Sequence, residues 1–168
     1  MVKGRGAAVR AARIAVLGAL LYAAQVSLSF LPNIELVTLL IVVFTRNLGK
    51  EGTAACFVYV CLTALTWGFG IWWFTYLAVW PLFSLLVYVL RKSGSPFVWA
   101  IVDGGFGLCF GALFAIPYIF FSPAYAFSYW ISGIPFDIVH CAGNFMIALL
   151  LFKPLDAAMK KVLRLQRK

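Results

Sequence analysis

Apolar residues fill six long runs of this chain, and short polar or glycine- and proline-containing segments separate them. The runs cover residues 14–31, 34–44, 53–67, 74–90, 97–120 and 129–152. A helix needs about 20 residues to cross about 30 Å of hydrocarbon, and only helices or closed barrels satisfy their backbone there. The pattern therefore predicts an all-α bundle of six transmembrane helices in a single domain, residues 1–168, with a basic tail at 153–168.

Composition supports a membrane protein and excludes a soluble enzyme. The 168 residues are 64% hydrophobic and only 11% charged. A soluble domain has about 25% charged residues, so this chain could not cover itself with polar surface in water.

The distribution of basic residues predicts the orientation. All 14 Lys and Arg residues lie before the first run, after the second, after the fourth and after the sixth. Basic residues flank membrane helices mainly on the cytoplasmic side. We therefore expect a multi-pass cell-membrane protein with both termini in the cytoplasm. Because the chain has no separate basic domain, its net charge of +9 does not indicate nucleic-acid binding.

The motifs of common catalytic sites are missing. The sequence has no GxxxxGK[ST] phosphate loop, no HExxH and no GxSxG, and its four cysteines form no CxxC pair. One histidine cannot supply two axial ligands to a haem. We expect no enzyme activity, no cofactor and no metal site.

Aromatic residues crowd the three connections that carry no basic residue. They include Trp67, Trp72, Trp73, Tyr76, Tyr129 and Trp130. Such residues form either a belt at the lipid interface or an apolar lid over a ligand pocket. All six are candidate ligand contacts, and the sequence does not distinguish an interfacial belt from a lid.

Four polar residues near the same connections are further candidates. Asp137 and His140 lie one helical turn apart on one face of the sixth run, at a depth where polar groups are costly. They either contact a ligand or satisfy each other, and we expect His140 or water to donate to Asp137 in the empty state. Asn33 and Glu35 follow the first run, where they cap the second helix or bind ligand.

Alanine recurs every four residues along the first run. Ala11, Ala15, Ala19 and Ala23 form one stripe. Small residues at this spacing allow another helix to approach closely. That helix belongs either to the same chain or to a partner protein.

The chain resembles the substrate-binding S components of energy-coupling factor (ECF) vitamin transporters. The resemblance is carried by six runs, by the alanine stripe, by Leu31-Pro32-Asn33-Ile34-Glu35-Leu36 and by the segment from Tyr129 to Asp137. It implies that the stripe contacts a transmembrane coupling subunit, that two ATPases drive transport, and that Pro32, Asn33 and Glu35 gate a pocket open to the outside. Within the family, the chain looks most similar to the branch for cobalamin, and an aromatic cavity with few charges would also suit a flavin or pterin. The alternatives are a small membrane enzyme that acts on a lipid or quinone, and a structural subunit without ligand.

Overall fold

A computed structural model describes the backbone of residues 2–165 and the side chains of residues 6–165, so the last three residues of the predicted tail lie outside it. The described chain is all α. The helices are α1 (Val2–Ser27), α2 (Val37–Leu48), α3 (Lys50–Trp67), α4 (Ile71–Leu90), α5 (Pro96–Ala115) and α6 (Pro123–Leu165), with a 3₁₀ turn (Ile116–Phe120) between α5 and α6.

Four helical segments are long and apolar enough to cross a membrane. They are Gly6–Ser27, Ile71–Leu90, Pro96–Phe120 and Pro123–Leu165. The short α2, with 12 residues, extends about 18 Å at 1.5 Å per residue and cannot span the hydrocarbon alone. The fold class and the existence of six helices are thus as predicted, and four helices have the length of a membrane crossing.

The first and last helices are longer than the sequence pattern predicts. The start of α1 at Val2 reflects the alanine-rich segment before residue 14, since alanine has the highest helix propensity. In α6, 43 residues form one helix through Pro135 and Pro154. The predicted connection at 121–128 and the predicted tail are therefore largely parts of α6. Lys160 supports this extension through a 2.7 Å ion pair with Asp156, one turn earlier.

The short helix α2 forms the centre of the bundle. It contacts α1, α3, α4, α5 and α6, and all its residues from Val37 to Thr45 except Leu40 are buried. A helix that other helices surround is apolar on every side. This environment explains why the run at 34–44 is strongly apolar although it is too short to span a membrane.

The connections between helices gather into two chemically different ends. At the basic end, Arg46 in the last turn of α2 donates a 2.9 Å hydrogen bond to the carbonyl of Ser93 between α4 and α5 and pairs with Asp156 of α6. At the same end, Arg10 and Arg13 of α1 pair with a glutamate in the first turn of α3. The aromatic end contains the connections at 28–36, 68–70 and 116–122.

Candidate functional site

The aromatic end contains a cavity of about 250 Å³ beneath the connection between α1 and α2, which we call the Glu35 cavity. Its walls are formed by Gln25, Leu28, Ser29, Leu31, Pro32, Asn33, Ile34, Glu35, Trp67, Tyr76, Trp80, Phe110 and His140. A second cavity of about 170 Å³, the Trp72 cavity, is lined by Gln25, Thr63, Trp67, Trp72 and Tyr76. The two cavities are neighbours because Gln25, Trp67 and Tyr76 line both.

Glu35 is fixed by the start of α2. Its carboxylate accepts a 3.0 Å hydrogen bond from the backbone amide of Thr38 and a 2.6 Å bond from the Thr38 hydroxyl. The N-cap position of α2 is Leu36, and the side chain of Glu35 satisfies the Thr38 amide of the first turn, whereas a cap by Asn33 is not formed. Asn33 instead adopts a left-handed backbone (φ 58°), a conformation that asparagine tolerates better than most residues, and turns the chain toward α2.

His140 of α6 lies next to Glu35 in the wall of the cavity. The distance from His140 Nε2 to Glu35 Oε1 is 3.6 Å, longer than a hydrogen bond. Neither ring nitrogen has a hydrogen-bond partner among the described residues, although the side chain is only 5% exposed. Phe110 packs edge-on against the imidazole, with ring centroids 5.0 Å apart. A buried imidazole with two free nitrogens offers a donor and an acceptor to a molecule in the cavity.

Interlocked aromatic rings form the opposite wall. Tyr76 packs edge-on against Trp80 at 5.4 Å and against Trp72 at 5.3 Å between ring centroids. Edge-to-face contacts of this kind hold rings in fixed orientations. The wall is therefore preformed, and it presents Trp67, Tyr76 and Trp80 to the Glu35 cavity.

Six of the ten candidate ligand contacts come together at the two cavities. Asn33, Glu35, Trp67, Tyr76 and His140 line the Glu35 cavity, and Trp72 lines its neighbour.

The other four candidates lie elsewhere. The Trp73 indole donates a 2.9 Å hydrogen bond to the carbonyl of Val60, and Tyr129 and Trp130 are exposed on α6. Asp137 accepts a 2.9 Å hydrogen bond from the backbone amide of Gly111. The expected pairing of Asp137 with His140 is therefore wrong, because α5 supplies the donor and His140 faces Glu35.

Several lining residues were not predicted from the sequence, among them Gln25, Trp80 and Phe110. Gln25 is a polar residue inside the first apolar run, and its polarity there could have identified it as a candidate site residue. Its side-chain oxygen accepts a 3.1 Å hydrogen bond from the Tyr59 hydroxyl. Trp80 and Phe110 lie within continuous apolar stretches, where the sequence does not distinguish a cavity wall from ordinary core packing.

Two more buried polar residues lie within the bundle near the cavity. Asp103 of α5 is fully buried and Asn144 of α6 is 1% exposed, and none of their side-chain oxygen and nitrogen atoms has a hydrogen-bond partner within the described chain. Buried polar side chains usually have hydrogen-bond partners, so these two residues are exceptions. Residues 2–165 contain no group of three or more His, Cys, Asp or Glu side chains placed to hold a metal ion.

The alanine stripe faces away from the bundle. Ala11, Ala15, Ala19 and Ala23 are all exposed. The buried face of α1, which includes Leu17, Gly18 and Leu21, packs on α3, and an added Cβ at Gly18 would lie 2.5 Å from Val58 Cβ. Beside the stripe, an apolar groove of about 450 Å³ runs between α1 and the end of α6. Packing within the chain thus leaves the stripe accessible.

No protein-family model matches the chain, and no curated protein and no solved structure is significantly similar to it. Conclusions about its function therefore depend on its own geometry.

Proposed function

We propose that this chain is the substrate-binding S component of an ECF-type importer, a non-enzymatic receptor for a vitamin or related micronutrient in the cell membrane. The observation that carries the proposal is the Glu35 cavity. It combines a preformed aromatic wall with a buried carboxylate and a buried imidazole that lack a mutual hydrogen bond. A mostly apolar pocket with a few convergent polar groups is the usual form of a small-molecule site.

The charge distribution supports an outward-facing cavity. The basic end carries Arg46 in the last turn of α2, Lys50 at the start of α3, and Arg91 and Lys92 between α4 and α5, whereas the connections at the aromatic end carry no Lys or Arg. By the positive-inside rule, the basic end faces the cytoplasm. In this orientation the ligand enters from outside, beneath the connection at 28–36.

The exposed alanine stripe supports a partner within the membrane. Small side chains let a second helix approach α1 closely, and nothing in the described chain occupies that face. The transmembrane coupling subunit is the partner we propose for Ala11, Ala15, Ala19 and Ala23. Two ATPase subunits would supply the energy, since the chain carries no phosphate-binding loop of its own.

Cavity size bears on the identity of the ligand. The family resemblance favoured cobalamin, a corrin ring with a nucleotide arm, which is much larger than a cavity of about 250 Å³. Binding cobalamin would require the two cavities to merge and the connection at 28–36 to move away. A ligand of one or two aromatic rings needs no such rearrangement.

The test is the ligand itself and its uptake. We expect mass spectrometry of the purified, denatured chain to release one small molecule in near-stoichiometric amount, and cells that express it with coupling and ATPase subunits to import that molecule. Release of no ligand from the purified chain and no uptake would favour a structural subunit. Turnover of a lipid or quinone would favour the enzyme.

The partner contact is tested by Ala19→Leu, with Ala78→Leu on the exposed face of α4 as a matched control. Overpacking a close helix contact costs about 1–3 kcal/mol, so Ala19→Leu should abolish uptake and leave ligand binding by the isolated chain unchanged. Ala78→Leu should leave both unchanged. Loss of binding in Ala19→Leu would show that the stripe serves internal packing.

A further inference from the structure

Glu35 is a buried acid with unused hydrogen-bonding capacity. Its side chain is 11% exposed and accepts two hydrogen bonds, both from Thr38. An ionised carboxylate has about four acceptor positions, so two remain for other donors. The connection at 28–36 and α6 direct these positions toward the cavity that Glu35 and His140 line.

No Lys or Arg lies beside this carboxylate in either cavity; the basic side chain nearest to it in the cavity wall is His140, whose Nε2 lies 3.6 Å from Glu35 Oε1 and carries charge only when protonated. Instead, the basic side chains at the other end pair with the two acids there, Glu51 and Asp156. The other three acids of the chain are Glu35, Asp103 and Asp137, and Asp103 and Asp137 also lack a Lys or Arg partner. Of these three acids, only Glu35 lines the cavity, so it is the carboxylate available to a ligand there.

Aromatic rings add to the attraction for positive charge. Trp67, Tyr76 and Trp80 line the cavity, and Phe110 forms its boundary beside His140. The face of an aromatic ring attracts a cation, most strongly when both are removed from water. The same rings provide flat apolar surface for stacking.

From these contacts we infer that the Glu35 cavity selects a small organic cation, a ligand of one or two rings that bears an ammonium or similar positively charged donor group. Glu35 is the counter-charge, the aromatic wall holds the ring, and His140 makes a second polar contact. The inference deepens the proposed function and rests on it, because it takes the cavity to be the ligand site.

Charge is the property that separates this ligand class from its rivals. An anion would approach a carboxylate without a Lys or Arg partner in a site of low dielectric constant, where repulsion is strong. A neutral ligand of the same shape would keep the stacking but lose the charge-assisted hydrogen bond to Glu35, which is roughly twice as strong as a neutral one.

Three probes of nearly equal shape test this selectivity: tryptamine, tryptophol and indole-3-acetate, which are cationic, neutral and anionic at pH 7. Each is titrated by calorimetry into the full chain in nanodiscs, with empty nanodiscs subtracted. We expect tryptamine to bind at least about tenfold more tightly than tryptophol, and indole-3-acetate to bind most weakly. Equal affinities, tighter binding of either rival, or no binding of any probe would overturn the inference.

The carboxylate is tested by Glu35→Gln, which keeps an acceptor for the Thr38 amide. We expect it to weaken tryptamine binding roughly 10- to 100-fold and to change tryptophol binding by less than about threefold. Glu51→Gln removes the same charge at the basic end and is the control, with no change in probe selectivity. An unchanged preference for tryptamine in Glu35→Gln would overturn the role of Glu35.

A second variant guards against misfolding of Glu35→Gln. Trp67 is 47% exposed, so Trp67→Leu should fold, and it should narrow the preference for tryptamine over tryptophol at least about threefold. Retention of the full preference would overturn the role of the aromatic wall.

Failure of the inference is distinguishable from failure of the proposed function. If the released natural ligand is neutral or anionic and cells import it, the proposed transport function stands and the selectivity for a cation is wrong. If the chain prefers tryptamine but no coupling module supports import, the cation-selective site stands and the proposed transport function is wrong.

Discussion

The two ends of the bundle treat their acidic residues in opposite ways. At the basic end, Asp156 accepts from Arg46, Asn47 and Lys160, and Glu51 pairs with two arginines of α1. At the aromatic end, Glu35 has only Thr38 as a donor, and His140 has no hydrogen-bond partner in the described chain.

This difference between the two ends indicates that one end stabilises the fold and the other is available for binding. A buried charge with several partners holds its neighbours in one arrangement, and removal of one partner leaves the others uncompensated. Buried polar groups without partners lower stability unless another molecule satisfies them. The basic end therefore fixes the helices, while the aromatic end keeps interactions available to a ligand.

Labelling the two ends separately has the largest expected effect. In intact cells, we expect cysteines at Ile71 and Pro123 to react with a membrane-impermeant maleimide and a cysteine at Gly94 to remain unlabelled until the cells are opened. The reason is the absence of basic residues from the first two sites and their presence beside the third. Reaction of all three in intact cells would place both ends outside and contradict the orientation.

Removal of a carboxylate from the basic end should give the largest change in stability. Asp156→Ala leaves Arg46, whose side chain is 13% exposed, without its main partner. Breaking such a pair costs about 3–5 kcal/mol, which corresponds to a fall of roughly 6–20 °C in melting temperature. Thermal unfolding in detergent measures this. Asp156→Asn retains part of the hydrogen bonding, so its melting temperature should fall between those of the wild type and Asp156→Ala. A wild-type melting temperature for Asp156→Ala would contradict the proposed difference between the two ends.

The opposite change should follow at the aromatic end. His140→Leu exchanges two unsatisfied nitrogens for an apolar side chain beside Phe110, so stability should stay equal or rise by about 1 kcal/mol. Tryptamine affinity should fall roughly tenfold, because one polar contact is lost. A drop in melting temperature as large as that of Asp156→Ala would show that His140 is satisfied in the empty protein.

Asp137 should give the smallest effect. It hydrogen-bonds to the Gly111 amide and lines neither cavity. Asp137→Ala should therefore cost about 0.5–1.5 kcal/mol of stability and change tryptamine affinity by less than about twofold. A tenfold loss of affinity, measured by the same calorimetric titration, would restore Asp137 to the ligand site that the sequence predicted.

Much of the fold was predictable because membrane helices leave a simple pattern. Six apolar runs gave six helices, and the predicted ends of α3 at residue 67 and of α4 at residue 90 match the structure. The full length of α6 was not predicted, because the sequence changes from apolar to charged residues after Phe152 and that change marks the end of the apolar run but not of the helix. Helices continue into water when polar side chains line their surface, and hydropathy alone does not mark that end.

The candidate site was predictable only in part. Glu35 and His140 stood out as polar residues in apolar surroundings, but their proximity is a tertiary contact between α6 and the segment before α2. Spacing along α6 instead favoured Asp137 and His140 as a pair. The donor that Asp137 uses is a backbone amide of α5, and no sequence pattern identifies a backbone group as a partner.

The central position of α2 has a consequence for synthesis of the chain. Ribosomes complete α2 more than 70 residues before they reach α6, yet α6 supplies both His140 next to Glu35 and Asp156, which lies 110 residues after Arg46. Until the last helix enters the membrane, Arg46 lacks this carboxylate. Contacts between such distant segments form slowly, so the nascent chain passes through a stage in which its second helix is incompletely enclosed. A bundle built around a short central helix is complete only when its final helix has inserted.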